Sequence, residues 1–142
     1  MASEKLVQNF ILDSSVVIKL FSEEDNTPLA LLLRDKYEQG EITITVPDLL
    51  LYEISNALRY NKTINEQDVK AAVDSLIQLE IDIIVPTSKV LHHAISLAFK
   101  YNLTLYDAYF LALSDILKFT CITADEKLFN KVKELFSIIL LR

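Results

Sequence analysis

Hydrophobic and polar positions along this chain follow two alternating periods. Five short runs have strand character: Gln8 to Asp13, Ile42 to Val46, Ile81 to Val85, Thr120 to Thr123 and Ser137 to Leu141. The second reads Ile-Thr-Ile-Thr-Val, β-branched throughout, and is ended by Pro47. Between these runs, apolar residues recur three or four apart, and capping chemistry marks where each helix begins and ends. Helices are predicted over Val16 to Phe21, from Asn26-Thr27-Pro28 to Gln39, from Asp48 to Tyr60, and from Asn65 (with Asp68) to Leu79. Three more run from Thr87 to Tyr101, from Thr104 through the apolar stretch Leu105 to Leu117, and from Asp125 to Leu135. Gly40, the single glycine, is placed to close the second helix.

Strands alternating with helices imply a parallel sheet covered on both faces, a three-layer α/β/α sandwich. The apolar runs Ile83-Ile84-Val85 and Ile138 to Leu141 predict strands buried on both faces. In such sheets, ligands collect at the carboxyl ends of the strands. Asp13 and Asp125 lie at or just past two of those ends.

Two more carboxylates interrupt apolar helices. Leu49, Leu50, Ile54, Ala57, Leu58 and Tyr60 form a wide apolar arc at 100° per residue, with Glu53 inside it and Tyr52, Ser55 and Arg59 opposite. Asp107 stands in the first turn of the most apolar helix, at the positive end of its dipole. Each acid alone has a structural explanation: Asp13 and Asp125 as helix caps, Asp107 in a capping box with Thr104, Glu53 paired with Arg59. Together they are harder to dismiss, because clustered like charges repel and each ionised carboxylate resists burial. A divalent cation of the magnesium or manganese kind is the natural compensator for oxygen ligands.

Composition narrows the setting. The 142 residues, 51% of them hydrophobic, suit one domain spanning residues 1–142. Mean hydropathy is positive, but no apolar run reaches spanning length, and Met1 to Gln8 lacks the apolar core of a signal peptide. The lone Cys121 forms no internal disulfide, so a soluble cytoplasmic protein is expected. A net charge of −6 opposes broad phosphate binding unless metal neutralises the acids. Lys19, Arg59, Lys62, Lys89, Lys100 and Lys118 are read as solvated charges that can line a groove.

Other chemistries find no support. With only Gly40 there is no glycine-rich phosphate loop. Adjacent His92 and His93 point about 100° apart on a helix and suit a shared metal poorly. Ser14 and Ser15 lack an elbow glycine and a histidine partner, and Cys121 reads as core. Tyr106, Tyr109 and Phe110 are also assigned to the core rather than to a stacking platform. A phosphoacceptor receiver needs paired acids near the first strand, and a haloacid dehalogenase needs an aspartate where Ser15 stands.

Four segments in order resemble the motifs of PIN domains, particularly the VapC-type toxin ribonucleases. They are Ile11-Leu12-Asp13-Ser14-Ser15-Val16-Val17-Ile18-Lys19-Leu20-Phe21, Tyr52-Glu53-Ile54-Ser55-Asn56-Ala57-Leu58, Leu105-Tyr106-Asp107-Ala108-Tyr109-Phe110-Leu111-Ala112 and Ile122-Thr123-Ala124-Asp125-Glu126-Lys127-Leu128-Phe129. The resemblance implies a mostly parallel PIN-like sandwich and magnesium- or manganese-dependent hydrolysis of RNA phosphodiesters. It implies that Asp13, Glu53, Asp107 and Asp125 carry metal, partly through waters. Ser15, Asn56 and Thr123 would support them. It further implies a homodimer silenced by a cognate antitoxin. Two alternatives stay open: a housekeeping RNA-processing nuclease, and a catalytically silent module that binds a basic partner segment.

Overall fold

A computed structural model describes residues 6–21 and 27–141. Among them, five strands and seven helices follow in the order β1 (Gln8–Leu12), α1 (Ser14–Ile18), α2 (Thr27–Glu38), β2 (Ile42–Pro47), α3 (Leu49–Arg59), α4 (Glu66–Gln78), β3 (Asp82–Ile84), α5 (Ser88–Tyr101), α6 (Leu105–Leu117), β4 (Thr120–Thr123), α7 (Glu126–Val132) and β5 (Ile138–Leu140). All four strand pairings are parallel, in the spatial order β3-β2-β1-β4-β5. The expected α/β architecture is therefore present.

That order decides where a ligand can enter. The chain moves outward from β1 through β2 to β3, then returns to place β4 on the other side of β1. The reversal leaves a crevice at the carboxyl ends of β1 and β4, where connections depart in opposite directions. Register pairs Leu12 with Ile122, so Asp13 and Thr123 stand side by side at that crevice.

The core lies where β1, β2 and β4 meet α6. Ile11, Val46, Leu50, Ile54, Leu111 and Thr123 are fully enclosed. In α6 every residue from Ala108 to Ser114 is buried, as expected of a helix apolar on all sides. It packs along α5 and against the sheet.

Several expectations shift. The two apolar runs predicted to be buried on both faces are the edge strands: Val85 and Ile139 are exposed, and the doubly buried strands are β1, β2 and β4. An uninterrupted apolar run does not distinguish an edge half-covered by helices from a sheet centre. The helix expected over Val16 to Phe21 starts at Ser14 and ends at Ile18, where Lys19, Leu20 and Phe21 tighten into i→i−3 bonds. The apolar arc of α3 is narrower than predicted, with Leu50, Ile54 and Leu58 buried but Ala57 and Tyr60 exposed near the helix end.

Caps are mostly as predicted. Asn65 and Asp68 form a reciprocal capping box, and Thr87 and Thr104 each accept a backbone N–H. Gly40 closes α2 with φ +75, its N–H donating to Tyr37 and the Glu41 N–H to Lys36. Asp48 occupies the cap position of α3, but its backbone is already helical and its side chain makes no capping bond. The start predicted at Asn26 lies outside the described residues.

Candidate active site

Asp13 ends β1 and begins α1, so one residue serves both strand and helix. Its backbone N–H continues the ladder to the Ile122 carbonyl at 3.0 Å. Its carboxylate, 6% exposed, accepts from the Thr123 hydroxyl at 2.7 Å, from Ser14 Oγ at 3.3 Å and from the Ser15 N–H at 3.4 Å. The predicted helix cap is real, and it coexists with the strand-end position.

Thr123 and Ser15 bind the two strand ends together. Thr123 commits its proton to Asp13, so the 3.3 Å contact between its Oγ1 and Ser15 Oγ has Ser15 as donor. Thr123 Oγ1 also accepts the Asp125 N–H at 3.0 Å, and Ser15 Oγ accepts the Ala124 N–H at 2.9 Å. This network spans more than a hundred residues of sequence and fixes the β1 and β4 ends relative to each other. Asp125 Oδ1 caps α7 by accepting the Leu128 N–H at 3.0 Å.

Glu53 and Asp107 arrive from helices. Glu53 is half-buried at the flank of the Leu50–Ile54–Leu58 stripe, and its Oε1 is buried with no hydrogen-bond partner among the described residues. An orphaned buried carboxylate oxygen is uncommon and asks for a ligand. Its pKa is pushed up to about 7, first by burial and then by the charge of Asp13, with Asp107 adding to the rise. The Ser14 hydroxyl opposes this by hydrogen bonding. Ser14 therefore serves two carboxylates, a role that neighbouring polar residues give no sign of in the sequence.

Asp107 is held by the first turn of α6, where its N–H donates to Thr104 Oγ1 at 3.1 Å. Its acidity is also weakened, chiefly by burial and then by the charges of Asp13 and Asp125, while Thr104 and Lys131 act oppositely. Unlike the reciprocal box at Asn65, the cap at Thr104 runs one way, and the Thr104 hydroxyl only partly offsets the burial and repulsion at the Asp107 carboxylate. The Cys121 thiol, buried in β4 as expected, is held protonated by burial and by Asp13 and Asp107.

All four predicted acids thus fall within one electrostatic neighbourhood: Asp13 acts on Glu53 and Asp107, Asp107 on Glu53, and Asp125 on Asp107. Among the described residues, however, no three His, Cys, Asp or Glu side chains form a closed metal cluster. The oxygen donors, the orphaned Glu53 Oε1 and the mutual repulsion fit a hard divalent cation whose remaining ligands are water. Ser15 and Thr123 hydrogen-bond around the Asp13 carboxylate and the end of β4. Asn56, one turn beyond Glu53, is exposed.

The other candidates sort out simply. His93 joins Asp115 across α5 and α6 at 2.9 Å, and His92 is exposed, so neither nears the acids as a pair. Tyr109 and Phe110 are core as expected, but Tyr106 is 57% exposed, because it falls off the buried side of α6 in that helix's first turn. A cavity of about 590 Å³ lies between α3 and α4, floored by Ile64, Val69 and Val73, and Ser55 and Arg59 face it from α3. None of the four acids lines it.

Comparison with known proteins agrees with this architecture. No curated protein sequence matches the chain. Similar solved structures include PAE2754 from Pyrobaculum aerophilum, 20% identical, with a TM-score of 0.65 over 97% of this chain and 93% of that one. A toxin-antitoxin complex from Klebsiella pneumoniae is 19% identical, with a TM-score of 0.66 over 93% and 97%. VapC20 from Mycobacterium tuberculosis, described as a sarcin-ricin loop cleaving toxin, is 11% identical, with a TM-score of 0.70 over 89% and 95%. At these identities the likeness concerns the fold. The PIN domain family model matches residues 10–135, from the core of β1 to just past α7, and the chain belongs to the PIN domain family.

Proposed function

We propose that this protein is a divalent-metal-dependent endoribonuclease, acting as the toxin of a toxin–antitoxin pair. The observation that supports the reading is that four carboxylates on or beside the ends of β1 and β4 and on α3 and α6 act on one another's charge, two of them with weakened acidity and one with an orphaned oxygen. A structural cluster gains nothing from this repulsion, whereas a cation converts it into affinity.

Asp13, Glu53, Asp107 and Asp125 would hold magnesium or manganese, partly through waters. When bound, the cation would supply charge neutralisation and polarisation of a phosphodiester and of water. The chain's own residues do the rest. Thr123 and Ser15 lock the Asp13 carboxylate in one orientation, and the α7 cap does the same for Asp125. Glu53, whose pKa without metal is pushed up to about 7, would give up its proton when the cation binds. Asn56, exposed one turn beyond Glu53, would help position Glu53 or substrate. No serine, cysteine or histidine nucleophile is needed.

Membership of the PIN family and the toxin-antitoxin neighbours support an antitoxin partner, and we extend the reading to a homodimer in the cytoplasm. No described helix is long and apolar enough to cross a membrane. A housekeeping nuclease would share the same site. The silent module binding a basic segment draws on one observation, the absence of a closed three-ligand cluster among the described residues. Turnover separates them. Purified protein with millimolar manganese should cleave RNA, and Asp107→Asn should lose cleavage while keeping its fold. An intact substrate with wild type, alongside tight binding of a basic peptide, would establish the silent module instead.

A further inference from the structure

RNA carries its charge toward a chain of net charge −6 whose candidate site gathers four acids, so a cation near that site has a function to fill. Most described cations near an identifiable partner are already engaged. Lys36 and Lys70 pair with Glu41 and Glu66, while Arg59, Lys100 and Lys133 lie over the rings of Tyr60, Tyr101 and Phe129. Lys131 differs from these. It stands in the last turn of α7, and its Nζ donates to the Asn102 carbonyl at 2.7 Å. Asn102 ends α5 in the left-handed conformation (φ 52), two residues before the Thr104 cap of α6. The lysine is thereby tethered beside the turn that delivers Asp107, close enough to act on its charge.

Lys131 makes no ion pair with any described acid, and its side chain is exposed. An ammonium has three N–H donors, of which the carbonyl takes one. Two remain for an incoming anion. We propose that Lys131 is a phosphate-anchoring residue, holding the backbone of a single RNA strand beside Asp107. The proposal rests on the nuclease reading given above. Tethering by a backbone carbonyl rather than by a carboxylate fixes the ammonium's position without closing an ion pair on it, so little side-chain freedom is lost when phosphate binds. As a point charge, it would act on any sequence alike.

The competing explanation is that Lys131 merely satisfies the last carbonyls of α5. Initial rates of cleavage of labelled, random-sequence single-stranded RNA in millimolar manganese, measured over a series of potassium chloride concentrations, separate the two. Loss of one phosphate contact in Lys131→Gln should make the slope of log kcat/KM against log salt shallower by about 0.7. KM should rise by about fivefold with kcat nearly unchanged, and Lys131→Arg should restore both. A parallel unfolding curve records any loss of stability, which a purely structural lysine would show without a change in slope. Wild type and Lys131→Gln with equal slopes would overturn the proposal and leave the nuclease reading intact. A wild type that leaves the RNA whole would overturn that reading, and the lysine's role with it.

Discussion

Asp13 and Asp125 accept the backbone hydrogen bonds that cap α1 and α7, whereas at Glu53 and Asp107 burial and the charge of neighbouring acids outweigh a single hydroxyl bond each, from Ser14 and Thr104. The strand-end pair caps α1 and α7, and Asp13 also anchors the Thr123 hydroxyl. The helical pair contributes less structurally: Glu53 Oε1 has no partner among the described residues, and both groups are harder to ionise than an ordinary carboxylate. The difference shows how one acidic cluster can be assembled without collapse. Half of it is stabilised by backbone donors at helix N-termini, which permits the other half to remain unsatisfied until a ligand arrives.

The sharpest way to break the comparison is to remove one acid from each half. Asp13→Ala loses a cap and strands the buried Thr123 hydroxyl, so it should lower unfolding free energy by about 3 kcal/mol in chemical denaturation. Glu53→Gln should leave metal-free stability equal or higher. A matching loss in Glu53→Gln would show that Glu53 too is structural.

Metal should act through the helical half. Manganese at about 100 times its dissociation constant adds roughly 2.7 kcal/mol, visible as a rise in the thermal midpoint. Asp107→Asn should abolish most of that rise, and chelation should reverse it in wild type. An equal rise in both proteins would remove Asp107 from the site.

The pH dependence of the metal-free protein sharpens the contrast further. A carboxylate whose folded pKa lies above its unfolded value binds more protons in the folded state, so stability falls as pH rises between the two. For Glu53 that window runs from its ordinary 4.5 to about 7, and Asp107 shifts in the same direction. After allowance for solvent screening, wild type should lose about 1 kcal/mol between the two ends of that window. The loss should shrink in Glu53→Gln. Manganese affinity should move the opposite way and strengthen with rising pH, because binding displaces a proton.

The smallest effect is expected at Asn56, whose side chain is exposed. Asn56→Ala should change stability by less than about 0.5 kcal/mol while still raising KM for RNA, if its role is toward substrate. Unchanged kinetics would remove it from the supporting group.

Much of this was legible before any coordinates. The strand–helix alternation set the parallel α/β layers, and proline, glycine and threonine set most element boundaries, because those effects are local. The four acids were conspicuous because each breaks a local hydrophobic pattern. Which strands were central could not be read, since Ile83-Ile84-Val85 and Ile138 to Leu141 look like core and form the edges. Nor could Tyr106 be told from Tyr109, three residues apart on one helix, until the packing of α6 exposed the first and enclosed the second.

The sequence by itself determined the kinds of element, their order and the identity of the acids, all of which depend on neighbours a few residues away. The tertiary structure alone decided that β4 returns beside β1, that Thr123 reaches Asp13 across 110 positions, and that Lys131 hangs from the Asn102 carbonyl next to Asp107. These are contacts between distant segments, fixed by how the sheet closes its core, and no local pattern encodes them.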